Sequence, residues 1–285
     1  MISAIDKQQL VTIIIPMFNE EQNIANCLEY LAKQTYKHIE IILIDDASTD
    51  NTINISNQVA NKLKLQVKVV SQKIHQERSL TRNIGAKLSK GMWLLFLDAD
   101  MYLGKKVIEE CVNLSKTSAV KAVIIPEQSQ GKGFWAKCRT LEKRCYIGDS
   151  KIEAARFFNK EIFLKVGGWD EKMISGEDWD LTRRVSNQYT IGRINSYILH
   201  NEGNLSLWKV AKKKFYYASK SSRYLKKYPL KITDIIFFVI RPAYIRNWKI
   251  LIEDPIHLIG LIVLKFTELV AGAVGFLVSK QLSPL

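Results

Sequence analysis

Short apolar runs alternate with helically spaced apolar positions through the first 125 residues. Leu10–Ile15 is β-rich and closed by Pro16, which predicts a buried strand. Within Glu21–Gln34, the positions Ile24, Cys27, Leu28 and Leu31 recur at helical spacing. Ile39–Ile44 predicts a second strand, and Ile55, Val59 and Leu63 mark a helix after it. Val67–Val70 predicts a third strand, Arg82–Lys90 a helix stopped by Gly91, and Trp93–Leu97 a fourth strand. Val107, Ile108, Cys111 and Val112 mark another helix, and Ala119–Ile125 another strand. Repeated βα units imply an α/β fold with a mostly parallel, doubly wound sheet and right-handed crossovers.

Ligands of such sheets bind beyond the carboxyl ends of the strands. The polar residues after the first, second and fourth strands are Asn19-Glu20, Asp45-Asp46 and Asp98-Ala99-Asp100, so these are expected to converge on one crevice. The cluster from Asp45 to Asp50 also suits a turn and helix cap. Asp98 and Asp100 are harder to account for structurally. Two carboxylates at i and i+2 after an apolar run repel each other unless a cation lies between them. Hard divalent ions such as Mg²⁺ and Mn²⁺ prefer oxygen ligands and share them with substrate phosphates. A metal–diphosphate site is therefore expected. The chain has no GxGxxG after its first strand and no GxxxxGK[ST], which removes the main support for dinucleotide oxidoreductases and P-loop ATPases.

Charge changes the picture near residue 205. The chain carries 42 Lys plus Arg against 28 Asp plus Glu, a net charge of +14. Between Leu207 and Lys249 there are 12 bases and one acid, a local charge of +11, together with ten of the 28 aromatic residues. Bases with aromatics suit a solvated face, a nucleic-acid patch or a membrane surface. The apolar stretches that adjoin them favour the membrane. Ile232–Trp248 is apolar and aromatic, and Pro255–Val278 is almost wholly apolar, broken by His257, Lys265, Thr267 and Glu268. About 20 apolar residues suffice for a span, whereas the Lys265/Glu268 pair leaves an in-plane helix, a helical-hairpin anchor or a helix packed on a partner open. The expected organisation is residues 1–204 as the α/β domain, 205–254 as a basic juxtamembrane region, and 255–280 as a membrane-associated helix. The four cysteines lack CxxC spacing, and the polar N-terminus leads into no signal-peptide core, so a reduced chain at the cytoplasmic face of the membrane is expected. An anionic membrane surface, and no nucleic acid, is the partner implied.

Six motifs occur in order: Val11-Thr-Ile-Ile-Ile-Pro-Met-Phe-Asn-Glu20, Ile41-Ile-Leu-Ile-Asp-Asp-Ala-Ser-Thr-Asp-Asn-Thr52, Arg82-Asn-Ile-Gly85, Leu97-Asp-Ala-Asp100, Val166-Gly-Gly-Trp-Asp-Glu171 and Gly176-Glu-Asp178. In these the chain resembles a family 2 glycosyltransferase of the GT-A fold over roughly residues 9 to 204. The resemblance implies inverting transfer from a UDP- or GDP-sugar to a lipid-linked or cell-surface glycan. A polyprenyl-phosphate sugar synthase, whose acceptor is a lipid phosphate, is the alternative. By resemblance, Pro16, Phe18, Asn19, Glu20 and Asp45 hold the base and ribose, and Arg82 lies near the diphosphate. Asp98 and Asp100 form the DxD motif, with Asp100 the more direct ligand of Mg²⁺ or Mn²⁺ and Asp98 nearer the ribose. Asp178 is the catalytic base beside Glu177, and His200 stands where a late histidine reaches the metal. Gly168, Trp169 and Glu177 line the acceptor side, where Trp169 serves either to stack on sugar or simply to pack. No QxxRW motif occurs, which favours single-sugar addition over processive synthesis.

Overall fold

A computed structural model of the chain describes residues 9–117, 119–149, 151–229 and 241–282. The elements run β1 (Val11–Met17), α1 (Ile24–Ala32), β2 (Ile39–Asp45), α2 (Thr52–Lys62), β3 (Val67–Ser71), α3 (Arg78–Leu88), β4 (Trp93–Phe96), β5 (Met101–Leu103), α4 (Val107–Thr117) and β6 (Val120–Ile124). They continue with β7 (Glu127–Lys132), α5 (Phe134–Tyr146), β8 (Ala155–Asn159), α6 (Lys160–Lys165), α7 (Glu177–Ser186), β9 (Thr190–Arg193) and β10 (Ile198–Asn204). The remaining helices are α8 (Leu207–Ser219), α9 (Ser222–Lys227), α10 (Pro242–Arg246), α11 (Trp248–Ile252) and α12 (Pro255–Leu282). Two compact units result. The first takes in the chain up to Pro126 with Ala154–Asp170 and Leu181–Ile198, and the second takes in Glu127–Glu153, Glu171–Asp180 and the chain from Leu199.

The first unit is built on a seven-stranded sheet in the order β3-β2-β1-β4-β8-β6-β9. β1 pairs in parallel with β2 and β4, placing Ile13 beside Ile41 and Leu95. β2 pairs in parallel with β3, and β6 with β9, whereas β8 enters antiparallel between β4 and β6. The sheet is therefore mostly parallel with one reversed strand. Consecutive residues Ile13, Ile14 and Ile15 are all fully buried, so both faces of β1 are covered. Each contributes about 1.5–3 kcal/mol of burial. Helix α3 comes close to this strand: a Cβ on Gly85 would lie 2.3 Å from Ile14 Cγ2. This is the physical reason for glycine in the Arg82-Asn-Ile-Gly85 motif. The helix begins at Arg78, earlier than its apolar pattern predicts, because its first turn buries the polar residues Ser79 and Thr81.

In the second unit β7 and β10 are neighbours in a sheet, and α12 packs along α5 and α8. Cys138, Val210, Leu261 and Leu264 form one small core there, and Cys145, Tyr146 and Ala243 another. All four cysteines are buried free thiols. Pro255–Val278 of α12 has a mean hydropathy of 2.0 and is, among the described residues, the one segment long and apolar enough to cross a membrane. Most of the apolar run expected over 232–248 lies outside the described residues.

Candidate active site

Parallel pairing brings the carboxyl ends of β1, β2 and β4 to one edge of the first unit's sheet. Three loops start there, and the first two are laced together. The backbone N–H of Asn19 donates to Ser48 Oγ at 3.0 Å, and Asn19 Oδ1 accepts from the Thr49 N–H at 2.8 Å. The N–H of Glu20 donates to Thr52 Oγ1 at 2.7 Å, and that of Glu21 to Asp50 Oδ2 at 3.1 Å. Phe18 is 42% exposed, and its ring lies 4.2 Å from that of His75. Asp45 is buried at the end of β2. Its Oδ2 accepts from the Ser48 N–H at 3.3 Å, while its Oδ1 is buried without a hydrogen-bond partner. A buried acceptor left so is costly. The adjoining Asp46 accepts from the Gln76 N–H at 2.8 Å and pairs with His75 at 2.9 Å. Its burial raises its pKa, offset in part by these two partners.

At the end of β4, Asp98 Oδ1 receives Arg82 Nη2 at 2.8 Å, and Arg156 Nη1 stands 3.7 Å from Oδ2. Burial opposes the charge on Asp98, but the guanidiniums of Arg82, Arg78 and Arg156 outweigh it and hold the carboxyl well below the usual carboxylate range. Glu20 moves the other way. Burial raises its pKa, the Asn23 hydrogen bond lowers it, and the charges of Asp100 and Asp98 raise it further. Glu20, Asp98 and Asp100 are thus near enough to repel one another. Among the described residues no group of three or more His, Cys, Asp or Glu forms a closed metal cage. The donor set nevertheless fits a hard ion that arrives with a diphosphate, because Mg²⁺ typically takes one or two carboxylates and leaves its other positions to water and phosphate oxygens. Both oxygens of Asp98 face guanidiniums, so Asp100 is the more direct ligand candidate.

Trp169 is 3% exposed. Its ring centre lies 4.7 Å from the Arg82 guanidinium carbon, and it stands edge-to-face with Phe96, the ring centroids 5.2 Å apart. Asn83 clasps its backbone, accepting from the Trp169 N–H at 3.0 Å and donating to its carbonyl at 2.9 Å. Of the two roles expected of Trp169, stacking on sugar or packing, this burial favours packing, with the ring set against Arg82. Gly168 has φ +63°, and a Cβ there would approach Asn83 Oδ1 to 2.9 Å. Its carbonyl accepts from Arg184 Nη2 at 2.7 Å.

The second unit holds Glu177, Asp178 and His200. Glu177 and Asp178 open α7, and Asp180 in the same turn is fully buried. Asp180 pairs with Lys227 at 2.6 Å and accepts from the Tyr228 hydroxyl at 2.9 Å. A Cβ on Gly176, whose φ is +82°, would lie 2.5 Å from the Tyr224 ring. The start of α7 is therefore held by α9 and the residue after it. His200, on β10, has its Nδ1 2.8 Å from Glu127 Oε1 on β7, and Lys143 reaches the same oxygen at 2.8 Å. Sequence reasoning assigned no part to Arg156 or Glu127. Asp180 is the third acid of Gly176-Glu-Asp-Trp-Asp180, a run whose acids suit the first turn of a helix and so do not by themselves announce a buried partner.

The first unit is thus an α/β domain with a mostly parallel sheet, whose carboxyl edge gathers carboxylates and arginines. Residues 12–168 match the family described as glycosyl transferase family 2, and the chain belongs to that family. An uncharacterised glycosyltransferase of Haemophilus influenzae is 26% identical over 186 residues, covering 62% of each chain. The UDP-Glc:alpha-D-GlcNAc-diphosphoundecaprenol beta-1,3-glucosyltransferase WfaP of Escherichia coli is 33% identical over 112 residues, or 39% of this chain and 43% of that one. The chain thus spans less than two thirds of the length of these curated relatives. The mannosyltransferase PcManGT of Pyrobaculum calidifontis, solved in complex with GDP-Man and Mn²⁺, superposes with a TM-score of 0.68 at 16% identity, covering 96% of this chain and 89% of that one. That likeness establishes the GT-A-like α/β fold.

Proposed function

We propose that the chain is an inverting glycosyltransferase that moves a sugar from a nucleotide-sugar to a hydroxyl of a lipid-linked or cell-surface glycan at the cytoplasmic face of a membrane. The observation that carries this reading is the acid–arginine cluster at the sheet edge, where Asp98 is held ionised by Arg82 and Asp45 presents a buried, unpaired oxygen. Asp45 accepts from the base, Phe18 offers a ring face to it, and Pro16, Asn19 and Glu20 shape the loop around base and ribose. Arg82 and Arg156 fix the carboxylate of Asp98 and add positive charge near the diphosphate. Asp100, with Asp98 beside it, would hold the divalent ion, which when bound neutralises charge developing on the departing nucleotide. Asp178 takes the proton of the acceptor hydroxyl, with its place set by a helix start that Asp180 pins. Attack from the side opposite the nucleotide inverts the anomeric carbon, and no covalent enzyme intermediate is needed. The carboxylate-held imidazole of His200 has the form that metal-binding histidines adopt. The E. coli relative is named for a lipid-diphosphate-linked sugar acceptor, which supports an acceptor of that kind here.

The test is nucleotide release from UDP- and GDP-sugars with Mn²⁺ or Mg²⁺, with and without a bacterial lipid extract. Metal-dependent release from one donor, stimulated by the extract, is expected. Full activity in chelator would overturn the metal assignment, and no release from any donor would overturn the reading itself.

A further inference from the structure

Helix α12 has two unlike sides. On one, Gly260, Leu261, Leu264, Glu268 and Gly275 are buried. A Cβ on Gly260 would lie 2.5 Å from Cys138 Sγ on α5, and one on Gly275 would lie 2.5 Å from the Phe215 carbonyl oxygen on α8. Close backbone approach at both ends means that α12 rests on protein along most of its length. The two charges that interrupt its apolar sequence lie on this side. Lys265 pairs with Glu268 and, at 2.9 Å, with Glu142 of α5, while Arg139 of α5 pairs with both Glu142 and Glu268. The other side is bare and apolar: Ile256, Ile259, Phe266, Leu269, Val270 and Leu277 are each 47–67% exposed.

We infer that α12 lies in the plane of one leaflet of an anionic membrane, its Ile256–Leu277 stripe sunk among the acyl chains and its Arg139–Glu142–Lys265–Glu268 side turned to protein. This rests on the membrane-associated reading of the chain and replaces a crossing helix with a one-sided one. A crossing would carry α8 into hydrocarbon beside α12, and α8 exposes Lys209, Lys212, Lys213 and Lys214. Charged side chains at bilayer depth are expensive. At the surface the same lysines meet anionic headgroups, and a polar, basic flank beside an apolar face is the pattern of interfacial helices. Trp208, 78% exposed at the start of α8, and Trp248, 53% exposed on α11, suit the headgroup level where indoles concentrate. The occupant of the bare stripe is therefore lipid rather than a second copy of the chain.

Depth measurement on the full chain decides it. Spin labels are placed singly through Ile259→Cys, Phe266→Cys, Val270→Cys and Leu277→Cys. The four native cysteines are buried and stay unlabelled. On vesicles of phosphatidylcholine with phosphatidylglycerol, oxygen and nickel-chelate collisions report depth. In-plane seating gives all four labels one shallow depth, about 5–10 Å below the headgroup boundary. A crossing helix would spread positions 259 and 277 about 27 Å along the membrane normal, with 266 and 270 deepest, and that profile overturns the inference. Labels that stay water-accessible, with spin–spin broadening in a sedimenting dimer, overturn it in favour of a second copy. Ile259→Asp with Phe266→Asp should release the protein from vesicles at high salt while nucleotide release in detergent persists. Loss of that release in the unsubstituted chain would count against the glycosyltransferase reading alone.

Discussion

Glu142 is the group on which the seating of α12 most depends. Its side chain is 1% exposed, and it accepts from Arg139, Lys265, Tyr146 and Tyr244. The four charges Arg139, Glu142, Lys265 and Glu268 sum to zero. Glu142→Gln keeps the shape and leaves two cations facing one carboxylate. Removing one partner of a buried pair costs about 3–5 kcal/mol. The side chains of Arg139 and Lys265 remain 15% and 24% exposed and keep Glu268, so about 2–4 kcal/mol is expected here. At roughly 2–4 °C per kcal/mol for a chain of this size, the melting temperature should fall by about 4–16 °C. Thermal melts followed by circular dichroism measure it. Adding Lys265→Met restores neutrality and should recover at least half of the loss. A Glu142→Gln protein melting within about 1 °C of the parent would refute the argument. So would a double variant as unstable as the two single losses combined. The pH dependence has a definite sign. Burial opposes the Glu142 charge, but Arg139 and Lys265, with the Tyr146 hydroxyl, hold the carboxyl well below the usual range. Its contribution is complete above the ordinary glutamate value of about 4.3 and is lost as pH falls below it.

Asp100→Ala should abolish the metal-dependent part of nucleotide-sugar binding, measured by calorimetry with and without Mn²⁺, while the circular dichroism spectrum stays unchanged. Asp178→Asn should lower turnover by about 10²-fold with donor affinity nearly intact; unchanged turnover would point to a lipid-phosphate acceptor, which needs no base. Arg82→Met removes the guanidinium between Asp98 and Trp169 and should weaken donor binding at least tenfold, about 1.4 kcal/mol, whereas an unaltered dissociation constant would show that the arginine serves packing only.

The strands nearest the crevice were legible because burial on both faces demands unbroken apolar runs, as in Ile41–Ile44 and Trp93–Leu97. β7, reading Glu-Gln-Ser-Gln-Gly-Lys, has no apolar period, because its place comes from pairing with β10 rather than from a buried face. β8 was hidden for another reason: βα alternation predicts parallel neighbours, and a reversed strand between β4 and β6 breaks the series. Arg156 sits on that strand, so its approach to Asp98 was out of reach of motif reading. The inward orientation of Lys265 and Glu268 was equally hidden. Their i, i+3 spacing announces a pair but does not say which side of the helix meets protein.

The stitching between the loops after β1 and β2 bears on the entropy of substrate capture. Asn19 and Ala47 hold left-handed backbone, at φ 55° and 63°, which a free chain seldom visits. Hydrogen bonds donated to Ser48 and Thr52, and one received from Thr49, keep the first of these loops in place before any nucleotide arrives. Ordering these segments belongs to folding, so a nucleotide seated there meets a shape already set and forfeits little loop freedom on binding. With Asp45 in its proposed role, selectivity comes from fit rather than from closure, and a base whose edge offers nothing to that carboxylate is turned away by a rigid wall instead of being accommodated by a yielding one.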